Sequence, residues 1–118
     1  MGFDVYGIEP KNKDGEYFRN TVWWWRPLWD YINEVTADVI SEDQYSNGHT
    51  NSGEVITSTQ CSEICEILDL DLKSKDGIVK SFASSRQMPI GDGNYPFDRE
   101  NVERFLGFLK NCGGFEIW

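Results

Sequence analysis

Apolar and polar positions change period several times along the 118 residues, and each change marks a predicted element. Near the N-terminus Phe3, Val5 and Tyr6 stand among β-formers and are followed by the turn-rich EPKNKDGE, which predicts a strand over residues 2–8 and then a loop. EYFRNTVWW, residues 16–24, is again aromatic and β-branched and predicts a second strand or extended arm, paired with the first in a hairpin. Beyond it Leu28, Trp29, Ile32 and Val35 recur at helical spacing. Pro27 suits a first turn, where its missing N–H is not needed, so a helix is predicted from about Arg26 to Val35, continuing weakly toward Ile40. The polar SEDQYSNGHTNSGE predicts a long loop over 41–54, a length that often carries function.

Cys61, Ile64, Cys65, Leu68 and Leu72 share one face of a second helix over about 59–73, with Thr57, Ser58 and Thr59 as N-cap candidates. Ile78, Val79 and Phe82 predict a shorter helix over about 76–87 that stops before Pro89, and MPIGDGNYP reads as loop. The last helix has the clearest ends. Asp98 can cap it, Phe97 and Val102 occupy the hydrophobic-staple positions, and Gly113 fits the left-handed position past the end. The closing GFEIW reads as a strand whose natural partner is the N-terminal strand or the tryptophan arm. The whole predicts an α+β fold in a single domain, residues 1–118. Three to four helices pack on a small antiparallel sheet formed by the N-terminal and C-terminal strands.

Composition adds that this core is built from rings, because 14% of the residues are aromatic and five are Trp. Twenty acidic residues against 11 basic ones leave a net charge of -9, which repels phosphate backbones and argues against direct nucleic-acid binding. The charge leaves room for a basic patch on a partner protein. No apolar run approaches membrane-spanning length and the first residues lack a signal-peptide pattern, so a soluble cytoplasmic protein without membrane contact is expected. Three cysteines in such a chain suggest reduced thiols and no disulfide.

The most unusual string is Trp23, Trp24 and Trp25. In an extended arm successive rings point to opposite faces, so these three cannot share one core, and at least one is expected at the surface, an interface or a pocket. An exposed ring beside an arginine can stack on a planar group, worth about 1–3 kcal/mol per base. Tyr17, Arg19, Trp23, Trp24, Trp25, Arg26, His49 and Asn51 form the candidate ligand-binding set. The plainer reading makes the tryptophans core, pairs Arg19 and Arg26 with Asp4, Glu16 or Asp30, and leaves His49 solvated.

Other candidate chemistry is thin. Cys61 and Cys65, with Cys112 and His49, could in principle complete a zinc site, but cysteines on an apolar stripe pack as small hydrophobes, so no metal and no cofactor is expected. The pairs Asp69 with Asp71 and Asp98 with Glu100 give no sign of a shared buried site, and GDGN at 91–94 lacks the flanking strand and helix of a phosphate loop. An enzyme is therefore the less favoured reading.

MGFDVYG, GEYFRNTVWWWRPLWDYI and FDRENVERFLGFLKNCGGFEIW resemble a family of small proteins encoded by bacteria and their phages, over both ends of the chain. The resemblance implies a shared fold and a bacterial or phage setting, and brings no established activity or site residues. Some relatives carry a cysteine-rich insertion resembling a zinc knuckle, to which nothing in the middle of this chain corresponds. Small acidic phage proteins are often inhibitors of host systems, an association and not a motif. The leading expectation is a non-enzymatic binding protein, a phage counter-defence factor that takes a small planar or nucleotide-like ligand on the aromatic and Arg segment. The alternative is an acidic inhibitor or interaction module acting on a host protein, and after it a small hydrolase with His49 or Asp4/Asp30 as acid or base. A homodimer is compatible with an exposed aromatic surface.

Overall fold

Four strands pair antiparallel in the order β2-β1-β4-β3 in a computed structural model that describes residues 2–86 and 96–118. β1 (Gly2–Gly7) and β2 (Tyr17–Thr21) make the predicted hairpin, in register Asp4 with Arg19 and Tyr6 with Tyr17, across a short 3-10 turn at Lys13–Gly15. β4 (Phe115–Ile117) pairs with β1 on its other side and with β3 (Glu54–Ile56) beyond. Strand alternation sorts the two faces. Phe3, Val5, Phe18, Ile56, Phe115 and Ile117 point inward and are buried, whereas Tyr6, Tyr17 and Val55 point outward and are exposed.

α1 (Val22–Val35), α3 (Ser58–Lys73) and α5 (Arg99–Cys112) supply the rest of the core. Phe3, Trp25 and Trp29 form a continuous ring stack, with centroids 5.7 Å and 5.4 Å apart, and Phe105 and Phe115 meet it edge-on. α5 begins and ends as the sequence predicts: Asp98 accepts from the Asn101 amide at 2.8 Å, and Gly113 takes φ 64. Thr57 caps α3, and α4 (Ile78–Arg86) follows it.

Two expectations are corrected. The second strand ends at Thr21, and Trp23, Trp24 and Trp25 lie in the first turns of α1, which starts at Val22 and not at Arg26. Trp25 precedes Leu28 by three residues and Trp29 by four, so all three sit on one helical stripe, and burying that stripe outweighs the β-propensity of VWW. Pro27 consequently lies inside the helix, where it cannot donate to the carbonyl four residues back.

The predicted loop over 41–54 contains α2 (Glu42–Asn47) and the first residue of β3. Ser41 and Gln44 form a capping box, and the Gln44 amide pairs with that of Gln60 at 2.9 and 2.8 Å, joining α2 to the capping box of α3. No α2 residue is buried, so the helix has no apolar stripe to betray it. The described residues hold five α-helices, against three to four expected. The predicted loop MPIGDGNYP, apart from Pro96, the string GDGN and the predicted helix end at Gln87 fall outside the described residues.

No described helix is long and apolar enough to cross a membrane.

Candidate binding surface

The outward face of the sheet carries a row of side chains that no described helix covers. Its centre is Asp4. The Tyr17 hydroxyl and the Arg19 guanidinium both donate to one Asp4 oxygen, Arg19 at 2.7 Å, and the Tyr6 ring leans on Tyr17 with centroids 5.3 Å apart. These contacts follow from the register, which sets Asp4 opposite Arg19 and Tyr6 opposite Tyr17. Arg19 also lies across Gly2, where a Cβ would come within 2.5 Å of its Nη2.

On the other side of β1, Glu116 stands opposite Tyr6, and the Trp118 indole N–H reaches the Glu116 carboxylate at 3.4 Å. Tyr6, Tyr17 and Trp118 are 44%, 47% and 48% exposed. A carboxylate and a ring thus follow each other along each of two neighbouring strands, Asp4 and Tyr6 on β1 and Glu116 and Trp118 at the end of β4. The Tyr17 hydroxyl, and after it the Arg19 guanidinium, hold the Asp4 carboxyl below its ordinary 3.8, while the bond to Asp4 raises Tyr17 and Arg19 above their usual values.

The candidate residues disperse over the molecule. Trp25 is fully buried and donates its indole N–H to the Gly48 carbonyl at 2.9 Å, as Trp29 does to the Tyr45 carbonyl at 3.0 Å. Trp23 is 55% exposed. Trp24 is half-buried and walls a cleft of about 240 Å³ with Asn20, Asp98, Glu100, Asn101 and Arg104. The three rings do separate, but through the rotation of a helix and not the alternation of a strand. Arg19 pairs with Asp4, one of the internal partners expected for it, and Arg26 makes no ion pair among the described residues.

His49 is not solvated. Its Nε2 lies 3.2 Å from Asp30 Oδ1, which also accepts from the Tyr45 hydroxyl at 2.7 Å, and its Nδ1 is buried without a hydrogen-bond partner. The ring nitrogen not engaged by Asp30 therefore faces the interior and not a cleft. Asp30 and Tyr45 line a wider depression of about 540 Å³ that also holds Glu34 and Glu42. Asn51 takes φ 53 and donates to the carbonyls of Gly2 at 2.9 Å and Trp118 at 2.5 Å, fastening the chain ends of β1 and β4.

Tyr6, Glu116, Val55 and Trp118 are the face residues the sequence reading did not select. The signal for Tyr6 was present: a strand that buries Phe3 and Val5 must turn Asp4 and Tyr6 to the other side. Trp118 needed the β1–β4 register. Among the described residues no group of three or more His, Cys, Asp or Glu is arranged to hold a metal ion. Comparison with family models, with curated proteins and with solved structures gives no match.

Proposed function

We propose that this chain is a non-enzymatic binding protein that docks a basic segment of a partner protein on the outward face of its sheet. The observation that supports it most is that Tyr6, Tyr17 and Trp118 share one uncovered surface with Glu116 and with Asp4, which already holds Arg19 there. An arginine or lysine entering there meets a ring face for its cation and a carboxylate for its hydrogen bonds, a combination worth about 0.5–2 kcal/mol per cation–π contact. The net charge of -9 steers the same kind of partner. In the bacterial or phage setting that the sequence resemblance implies, the partner is a host protein and the role one of inhibition or counter-defence.

Titration with lysine- and arginine-bearing peptides is expected to move backbone amide resonances of β1, β2 and β4. Immobilised protein should retain a host protein in a salt-sensitive way, and Tyr6→Ser with Glu116→Gln should release it. Retention indifferent to both changes overturns the reading.

A second reading keeps a small planar ligand, carried by Trp24. The half-buried ring, the Arg104 guanidinium and the Asn20–Asn101 amide pair could bracket one. The cleft is smaller than the roughly 300–1,000 Å³ usual for ligand sites, and Asp98 and Glu100 on its wall oppose a phosphate, so the ligand would be neutral or cationic. Loss of calorimetric binding in Trp24→Ala separates this reading from the first.

A further inference from the structure

Three thiols from two helices converge beneath the sheet. Cys61 and Cys65 lie one turn apart on α3, and Cys112 ends α5. The Sγ atoms of Cys61 and Cys112 are 3.2 Å apart, and the Cys61 thiol also donates to the Leu109 carbonyl at 3.3 Å. Cys61 and Cys112 are buried, whereas Cys65 is half-buried and lines a shallow depression of about 320 Å³ beside Lys110.

We propose that Cys61 and Cys112 are a site of oxidative modification, closing to an internal disulfide when the protein meets a peroxide. A disulfide holds its sulfurs about 2.05 Å apart, so the pair has to close by little more than about 1 Å. The Cys112 thiol, placed to donate to the Cys61 sulfur, favours a Cys61 thiolate, although burial opposes any charge there. Cys61, 3% exposed where Cys112 is 0%, is the more accessible of the pair and is assigned the first attack.

The chemistry balances with the peroxide as the only oxidant. The Cys61 thiolate attacks one peroxide oxygen, an S–O bond forms and the O–O bond breaks, and the departing oxide takes a proton to leave as water or an alcohol. Cys61 is now a sulfenic acid. The Cys112 sulfur attacks Cys61 Sγ and loses its proton, the S–O bond breaks, and the hydroxide leaves as water. Two thiols and one peroxide give one disulfide, one water and one water or alcohol.

The bond would join the end of α5, directly before the Gly113–Gly114 turn into β4, to the first turns of α3. Closing a loop between residues 51 apart restricts the unfolded chain and raises Tm by roughly 10 °C. Peroxide-treated protein, denatured and alkylated, should label one cysteine in place of three, lose two hydrogens in intact mass, and yield a Cys61–Cys112 cross-linked peptide on digestion. Cys65→Ser should form the same link, and Cys112→Ser should not gain in Tm on oxidation. Three alkylatable thiols after treatment, or a link that joins Cys65 to either partner, overturns the proposal. Neither result bears on the sheet face, whose binding does not use these thiols.

Discussion

The indole N–H of Trp25 donates to the carbonyl of Gly48 across 2.9 Å, tying the first turns of α1 to the end of α2. Gly48 has an ordinary helical φ of -64, so its backbone does not require glycine. Space does: a Cβ there would stand 2.2 Å from Trp29 Nε1. Gly48→Ala should therefore destabilise the fold by about 1–3 kcal/mol through overpacking, with no help from a better helix propensity. Urea unfolding measures it, and a stabilised Gly48→Ala would contradict the packing.

Trp25→Ala removes a fully buried ring between Phe3 and Trp29 and leaves the Gly48 carbonyl without its donor. A loss of about 3–5 kcal/mol is expected, while Trp25→Phe keeps most of the stack and should cost less. A mere ligand-binding tryptophan would tolerate either change in a stability assay.

These two residues also show what the sequence could and could not disclose. Trp25, Leu28, Trp29 and Ile32 carry the helical period, yet β-branched and aromatic neighbours hide its start, because VWW suits a strand locally and only tertiary burial decides. Asp98 and Gly113 act through the backbone of their own helix, so both ends of α5 are legible. α2 has the capping-box signature at Ser41 and Gln44 but no apolar face, and a helix held by hydrogen bonds to distant residues shows no periodicity. The outward sheet face depends on the pairing of chain ends, Tyr6 with Glu116 and Trp118 beside Asp4, which no local pattern encodes.

Asp71 stitches three helices. From α3 it accepts the Ile78 and Val79 amides of α4 at 2.8 and 3.0 Å and the Tyr31 hydroxyl of α1 at 2.6 Å. Burial first, and then this bond, push the Tyr31 hydroxyl far above its ordinary value. Asp71→Ala should cost about 1–3 kcal/mol and speed amide exchange at Ile78 and Val79, whereas Tyr31→Phe, which leaves both caps in place, should cost about 1 kcal/mol. Unchanged exchange at those two amides in Asp71→Ala would exclude the cap.

The Asp4 cluster predicts a pH window. Asp4 is depressed in the folded state, so its contribution is present above its ordinary 3.8 and is lost as pH falls through the lower folded value. Tyr17 is raised, so its contribution is present below 10.0 and is lost as pH rises through the higher folded value. Asp4→Asn should flatten the acid limb of the stability profile, and Tyr17→Phe the alkaline limb. Asp4 is partly exposed, so both effects should shrink in high salt. A carboxyl titration of Asp4 by NMR at or above the ordinary value would refute the cluster.

Binding on the sheet face should separate rings from charges. Tyr6 is exposed and touches Tyr17, so Tyr6→Ser should leave stability within about 1 kcal/mol while weakening capture of a basic partner roughly two- to thirtyfold, the range one cation–π contact supplies. Glu116→Gln keeps the shape and removes one charge, so its loss of affinity should be largest in low salt and fade once the Debye length falls to about 3 Å near 1 M. Leu70→Ser, a change at a site 70% exposed on α3, is the control and should alter neither. Equal weakening by Leu70→Ser and Tyr6→Ser would mean that the partner reads some other surface, since only Tyr6 lies among the rings and carboxylates of the sheet.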